Sequence, residues 1–174
     1  SKDLTGEVNF HPFDFIKNFI SNINNKSTIG MDKSSTPYIF KEISKSKGLN
    51  ILYFEDPCLY PKAIKNKIEL DGARKSNLRD GVSISKFIYW LKNEIKISDM
   101  DEIKASDYLL SLRKKNKLFF SLSFETISAF GPHAALPHYR VSKISNLNFK
   151  NDSIYLVDSG AQYKDGTTDI TRTI

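Results

Sequence analysis

Residues 156–173 constrain the fold most, because they describe two strands joined by a polar turn with one aspartate on each strand. The sequence there is LVDSGAQYKDGTTDITRT, in which Asp158 ends an apolar run and Asp169 precedes Ile-Thr-Arg-Thr. Side chains alternate faces along a strand, and directly opposed residues of an antiparallel pair share a face. The odd separation of the two aspartates therefore predicts both carboxylates on one face, where they could hold a cation.

Two registers are open for this hairpin. Asp165-Gly166 is a strong two-residue turn signal, but an apex there pairs Asp158 with Thr173 and leaves Asp169 about 13 Å away along the strand. An apex at 163–164 places the two carboxylates directly opposite each other and puts Asp165-Gly166 in a wider loop or bulge. We expect the second register. A plain surface hairpin with solvated acids is the alternative to a metal site.

Three segments carry a resemblance to a known family. The run from Val157 to Thr173 resembles the first metal-ligand segment of aminopeptidase P, the Xaa-Pro aminopeptidase of the pita-bread metallopeptidases, and its eukaryotic cytosolic form in particular. Residues 123–139 are similar to the family segment that supplies an active-site histidine, through Ser-Phe-Glu-Thr-Ile-Ser, Gly131-Pro132 and Pro137-His138-Tyr139. Residues 63–66, with Gly72, Arg74 and Asp80, resemble the entry helix of its catalytic domain.

The resemblance implies a dinuclear site with Asp158 and Asp169 as metal ligands and Asp169 as the favoured bridge. His138 would lie on the substrate side as a hydrogen-bond donor and proton-transfer partner, in a catalytic and substrate-binding role. Two divalent ions about 3.5 to 4 Å apart activate a bridging water and orient the peptide carbonyl. We expect Mn(II), with Zn(II) or Co(II) as alternatives.

The reaction implied is release of the N-terminal residue from peptides with proline in second position. That scissile bond is a tertiary amide without an N–H, so recognition must rest on the shape of the ring and on the free amine. The resemblance also implies a homodimer as the intact protein, and a cytoplasmic location.

The same resemblance leaves the site incomplete. The family completes it with a histidine and two glutamates downstream of the Ile-Thr-Arg-Thr segment, together with a further substrate-binding histidine, whereas the sequence ends at Ile174. Two carboxylates alone should bind divalent ions weakly. We therefore expect the chain to be a piece of a longer protein.

Two positions depart from the family pattern. His133 stands where a small amide such as Asn is expected, and Arg140-Val141 follows His138-Tyr139 where a small residue and proline are usual. We expect His133 to be a solvent-facing or substrate-facing loop residue rather than half of a metal pair. His11, in an aromatic stretch, is expected to pack locally or lie on the surface.

Composition narrows the classes of partner. The net charge is +6 and the pI about 9.2, but the basic residues are dispersed, so we expect no nucleic-acid partner. The densest basic run, 113–117, ends a helical pattern, where solvated cations are the usual finding. The single Cys58 excludes an internal disulfide. No apolar run reaches the 18 or so residues that a membrane span needs, so no membrane partner is expected either.

The pattern of elements predicts an α+β fold. Residues 1–58 are expected to be the β-α-β end of a creatinase N-terminal-like domain, and 59–174 the first part of a pita-bread catalytic domain. Apolar periodicity predicts helices at 12–23 and 36–47, strands at 28–31 and 50–54, and from residue 62 one long or broken helix with Gly72 and Gly81 as weak points. A helix capped by Ser106, a half-buried strand with Phe120 and a strand at 154–157 follow.

Three functional hypotheses are open. The leading one is a fragment of an Xaa-Pro aminopeptidase. The second is a prolidase or methionine aminopeptidase relative, and the third is a catalytically silent pita-bread domain that binds proteins, since a fold does not fix a function. Silent relatives tend to lose the metal carboxylates, so the presence of Asp158, Asp169 and His138 favours an enzyme.

The incomplete ligand set generates a direct prediction. The purified 174-residue chain, supplied with Mn(II) and no companion chain, should release no N-terminal residue from an Xaa-Pro peptide, because two carboxylates do not retain a dinuclear centre. Amino-acid release measured by chromatography checks this, and cleavage above the metal-only blank would contradict it.

Overall fold

The computed structural model describes residues 8–94 and 96–174. The chain divides into two compact units between residues 64 and 65, six residues after the predicted domain boundary. Assignment of these units to particular domains stays a prediction. In the described ranges, no helix combines the length and the apolar character that crossing a membrane requires.

The first unit contains the predicted β-α-β arrangement. Strands β1 (Thr28–Met31) and β2 (Asn50–Tyr53) are parallel, and helix α2 (Tyr38–Ser46) connects them. Helix α1 (Phe15–Ser21) precedes the pair and helix α3 (Leu59–Ala63) follows it. Gly48 ends the helical region as expected, because its φ of +75° is left-handed.

The second unit begins with two helices. Helix α4 (Lys67–Asn93) is continuous over 27 residues, so neither Gly72 nor Gly81 breaks it. Helix α5 (Glu102–Lys114) begins earlier than predicted, because the Asp101 side chain accepts a hydrogen bond from the Lys104 N–H at 2.8 Å. The expected cap at Ser106 is therefore wrong: it lies inside the helix.

Six short strands follow α5 and form two antiparallel sheets. Their bounds are β3 (Phe119–Leu122), β4 (Ile127–Phe130), β5 (Tyr155–Ser159), β6 (Ala161–Tyr163), β7 (Gly166–Thr167) and β8 (Ile170–Thr173). One sheet has the order β3-β6-β7 and the other β4-β5-β8. The sequence predicted one strand where β3 and β4 lie, and Phe120, expected to be half-buried, is 74% exposed.

Helices α4 and α5 cover one face of the sheet β4-β5-β8. Phe87 from α4 and Leu109 from α5 are buried with Tyr155 and Val157 of β5. Burial alternates along β5, so that Asp158 lies on the face turned away from this core. The α+β architecture expected from the sequence is confirmed, with the helices behind the sheet.

The hairpin between β6 and β7 lies directly against α4. Arg79 binds Asp165 through two hydrogen bonds of 2.9 Å. A Cβ at Gly72 would lie 2.0 Å from the Asp165 carbonyl oxygen, and one at Gly166 would lie 2.4 Å from Ser76 Oγ. The absence of side chains at these two glycines therefore permits the close approach of helix and turn.

Replacing Gly72 tests this contact, and Gly81 in the same helix supplies the control. Gly72→Ala should lower the free energy of unfolding by about 1–3 kcal/mol, because the added methyl group forces backbone apart. Gly81→Ala should be neutral or stabilising by up to about 1 kcal/mol, since a Cβ there meets nothing within 4 Å. Denaturant unfolding measures both, and equal effects would refute the packing argument.

Candidate metal centre

Asp158 and Asp169 share the open face of the second unit, although neither predicted register is correct. Tyr163 pairs with Gly166 across a two-residue turn at 164–165, and Asp158 pairs with Thr171 on β8. Asp169 lies two residues before Thr171, so it is a diagonal neighbour of Asp158 rather than its direct partner.

The turn was misplaced because a distant contact fixes it. Asp165 is held by Arg79 of α4, 86 positions earlier, and Gly166 approaches Ser76 of the same helix. The observed register differs from the expected one by two residues. Because side chains alternate between the faces of a strand, a shift of two residues leaves each side chain on the same face. For that reason the predicted common face is still found.

The two carboxyl groups lie close enough for the charge of one to affect the other. The pKa of Asp169 is raised above its ordinary value, first by desolvation of the carboxylate, then by the negative charge of Asp158 and by a hydrogen bond between the two carboxyl groups. Thr171 Oγ1 donates to Asp158 Oδ1 at 2.8 Å, which orients the Asp158 carboxylate. The pair forms a concentrated negative site on an otherwise basic chain.

The two carboxylates are the type of ligand that a hard divalent cation prefers, but two ligands are too few to hold one tightly. Carboxylate oxygens are ligands of Mg²⁺, Mn²⁺ and similar ions, and a cation would offset the charge repulsion that, after desolvation, contributes to the raised pKa of Asp169. Within residues 8–94 and 96–174, no group of three or more His, Cys, Asp or Glu side chains is arranged to hold a metal ion. The described chain therefore brings together two candidate carboxylate ligands.

His138 and the acid pair lie on different segments of the second unit. His138 is exposed, in the loop between β4 and β5, with a left-handed φ of 56°. In the described part of the chain, no hydrogen bond joins it to Asp158 or Asp169. Its neighbour Tyr139 is buried and donates from its hydroxyl to Glu102 Oε2 at 3.0 Å.

Glu102 organises this loop, and sequence reasoning missed it. Its carboxylate is fully buried and also accepts hydrogen bonds from the backbone N–H groups of Phe130 at 2.7 Å and Leu147 at 3.1 Å. As the first residue of α5 it looks in sequence like a solvated acid that favours a helix N-terminus.

His133 also binds this carboxylate, a contact that the sequence did not predict. Its Nδ1 lies 2.9 Å from Glu102 Oε1, so Nδ1 carries the proton that is donated. The imidazole ring stacks on Tyr139 at 4.3 Å between ring centroids. The side chain packs against the loop core and is 19% exposed. A substrate-facing position for His133 stays a prediction. His11 stacks on Phe15 at 4.0 Å, as expected for local packing.

The expectation of solvated basic residues at 113–117 is wrong for Arg113. It begins the basic run that was expected to be solvated, yet its side chain is 0% exposed and pairs with Asp80. The remaining lysines of that run, at positions 114, 115 and 117, are exposed as expected.

The helix-backed sheet and its paired outward acids define the class as an α+β domain of the pita-bread type. The family model described as metallopeptidase family M24 matches residues 71–174. The chain belongs to metallopeptidase family M24.

The chain is also similar to particular members. It is 47% identical over 120 residues to a "Probable Xaa-Pro aminopeptidase P" from Coccidioides posadasii, covering 68% of the chain and 20% of that protein. It is 49% identical over 114 residues to the same-named protein of Aspergillus flavus, covering 64% and 17%. The chain thus spans about a fifth of the length of the curated relatives it matches.

Two solved structures show the same fold. One is the X-prolyl aminopeptidase of Caenorhabditis elegans, described as a cytosolic enzyme with a di-nuclear active site, with TM-score 0.79 and 34% identity over 94% of this chain and 28% of that one. The other is the prolidase of Pyrococcus furiosus, with TM-score 0.69 and 27% identity over 96% and 46%.

The contact between the carboxyl groups predicts a titration. In metal-free protein, Asp158→Asn should lower the pKa of Asp169 toward its ordinary value, because it removes the neighbouring charge. Carbon-13 NMR of the Asp169 carboxyl measures this, with the exposed Asp107→Asn as the control that leaves the Asp169 pKa unchanged. An Asp169 pKa that does not move in Asp158→Asn would show that the carboxyl groups are not in contact.

The sign for stability follows from the direction of the shift. The pKa of Asp169 is higher in the folded protein than in the unfolded chain. The contribution of Asp169 to the free energy of unfolding is therefore fully present at a pH below the unfolded-state pKa, and it is lost as the pH rises through the folded-state pKa.

Proposed function

We propose that this chain is part of an Xaa-Pro aminopeptidase, which as the intact protein removes the N-terminal residue from peptides with proline in second position. The observation that carries the proposal is the placement of the Asp158 and Asp169 carboxyl groups side by side on the open face of an M24 sheet, where each affects the charge of the other. The names and identities of the curated relatives support the substrate class.

Asp158 and Asp169 would hold two divalent ions, with Asp169 as the bridging ligand. When bound, these ions would activate a water molecule and polarise the peptide carbonyl. Mn(II) is the favoured metal and Zn(II) or Co(II) the alternatives, since all accept carboxylate and imidazole ligands. The remaining ligands, a histidine and two glutamates by resemblance, would come from the rest of the intact protein.

His138 is the candidate for substrate binding and proton transfer. Its exposure leaves the imidazole available to a peptide, and the anchoring of Tyr139 to Glu102 fixes the backbone beside it. A neutral imidazole can donate a hydrogen bond from one nitrogen and accept a proton at the other. The domain assignment of 1–58 and 59–174, the homodimer and the cytoplasmic location belong to the same proposal.

The two alternatives are less well supported. Prolidases share the fold, so the fold cannot decide, but the higher identity is to proteins named Xaa-Pro aminopeptidase P. A silent binding domain would have no need of two like charges held in contact. That arrangement costs free energy unless a cation binds there.

Peptide hydrolysis by the intact protein tests the proposal. Tripeptides with proline in second position should lose their first residue, and matched tripeptides with alanine there should not. A chelator should abolish the activity and Mn(II) restore it. His138→Ala should lower kcat about 10²–10⁴-fold without loss of bound metal, whereas His11→Ala, in the first unit, should change nothing.

Three results would contradict the proposal: equal cleavage of the alanine peptides, cleavage restricted to dipeptides, or activity that survives the chelator. The second would favour a prolidase. Absence of both hydrolysis and metal binding in the intact protein would favour a silent binding domain.

A further inference from the structure

An ion pair lies fully buried beneath the acid pair. Asp80 of α4 and Arg113 of α5 are both 0% exposed. Arg113 donates from Nε to Asp80 Oδ1 at 2.7 Å and from Nη2 to Oδ2 at 2.9 Å. Removal of two charges from water is costly, and the attraction between them offsets that cost only when further hydrogen bonds satisfy the remaining positions.

Those further hydrogen bonds come from the strands and their connections. Tyr163 donates from its hydroxyl to Asp80 Oδ1 at 3.0 Å, and Thr168 Oγ1 donates to Oδ2 at 2.7 Å. Arg113 donates to the hydroxyl of Ser159 and, at 3.3 Å, to its carbonyl oxygen. Among the described residues, no buried side-chain nitrogen or oxygen is left without a partner.

Two of the residues that this pair binds are the chain neighbours of the two acids. Ser159 follows Asp158, and Thr168 precedes Asp169. Ser159 is 0% exposed and Thr168 is 2% exposed, so their side chains point inward where the aspartates point outward. The ion pair therefore fixes, from inside, the two backbone positions that carry the carboxylates.

Thr168 matters most because Asp169 lies outside the strands. Residues 168 and 169 connect β7 to β8, and they take no part in the pairing of those strands. Thr168 Oγ1 accepts a hydrogen bond from the Ala161 N–H at 3.0 Å, and its carbonyl accepts one from Ser123 Oγ at 2.9 Å. These two hydrogen bonds and the one to Asp80 fix the position of residues 168 and 169.

We propose that Asp80 and Arg113, acting through Thr168 and Ser159, are positioning residues that set the separation of the Asp158 and Asp169 carboxylates and hence the affinity for divalent metal. The inference rests on the proposed metal-binding role of those two aspartates. A well-packed apolar pair could join two helices at least as stably. The directional hydrogen bonds to Thr168 and Ser159 are what an apolar pair would lack.

Metal affinity of the intact protein is the test, with Mn(II) as the probe in calorimetric titration. Thr168→Val is nearly isosteric but cannot bond Asp80, and it should weaken Mn(II) binding about 10–100-fold, as expected when an outer partner of a metal ligand is lost. Thr168→Ser keeps the hydroxyl and should restore affinity. Ser159→Ala tests the Asp158 side independently and remains informative if Thr168→Val does not fold.

A destabilised control separates positioning from stability. Leu109→Ala opens the core on α5, where Leu109 is 1% exposed, and should lower the unfolding midpoint while leaving Mn(II) affinity within about threefold of wild type. The proposal is overturned if Thr168→Val and Ser159→Ala bind Mn(II) as wild type does, or if Leu109→Ala weakens binding as much as they do.

Failure of the proposed function would give a different result. Wild-type protein that binds Mn(II) no better than Asp158→Asn would overturn both the metal site and the positioning role. Wild type that binds tightly, with Thr168→Val unchanged, would overturn the positioning role alone.

Discussion

The buried ion pair of Asp80 and Arg113 is the constraint on which the second unit depends. A charged pair without solvent is tolerated only where its hydrogen-bonding positions are filled, and the partners that fill them come from both sheets and from the segment between them. Helices α4 and α5 and the strand connections are thereby held at one point. The buried network also positions Asp158 and Asp169, because each is the chain neighbour of a residue that the ion pair binds.

A second buried carboxylate has the same relation to the loop that carries His138. Glu102 accepts hydrogen bonds from two backbone N–H groups, a tyrosine hydroxyl and a histidine ring, and so joins the start of α5 to the loop after β4. The two candidate functional regions share one arrangement. In each, a buried carboxylate, Asp80 or Glu102, holds the backbone next to a side chain that solvent can reach. Low dielectric surroundings strengthen such networks when every member is satisfied.

Local pattern was sufficient for part of this structure. Apolar alternation and Gly48 indicated the β-α-β unit, and strand parity placed Asp158 and Asp169 on one face. The exact pairing was not predictable, because Arg79 fixes the turn from 86 positions away. Burial of Arg113 was missed for a related reason: in sequence it begins a basic run, and only the fold brings Asp80 to it. The resemblance to aminopeptidase P supplied the chemistry that spacing alone left open.

The most direct test of the account is anomalous diffraction from crystals of the intact protein grown with Mn(II). The account predicts manganese density within bonding distance of carboxylate oxygens from both Asp158 and Asp169, on the face of the sheet turned away from α4 and α5. Manganese bound elsewhere, with these two aspartates free of metal in an ordered hairpin, would contradict it.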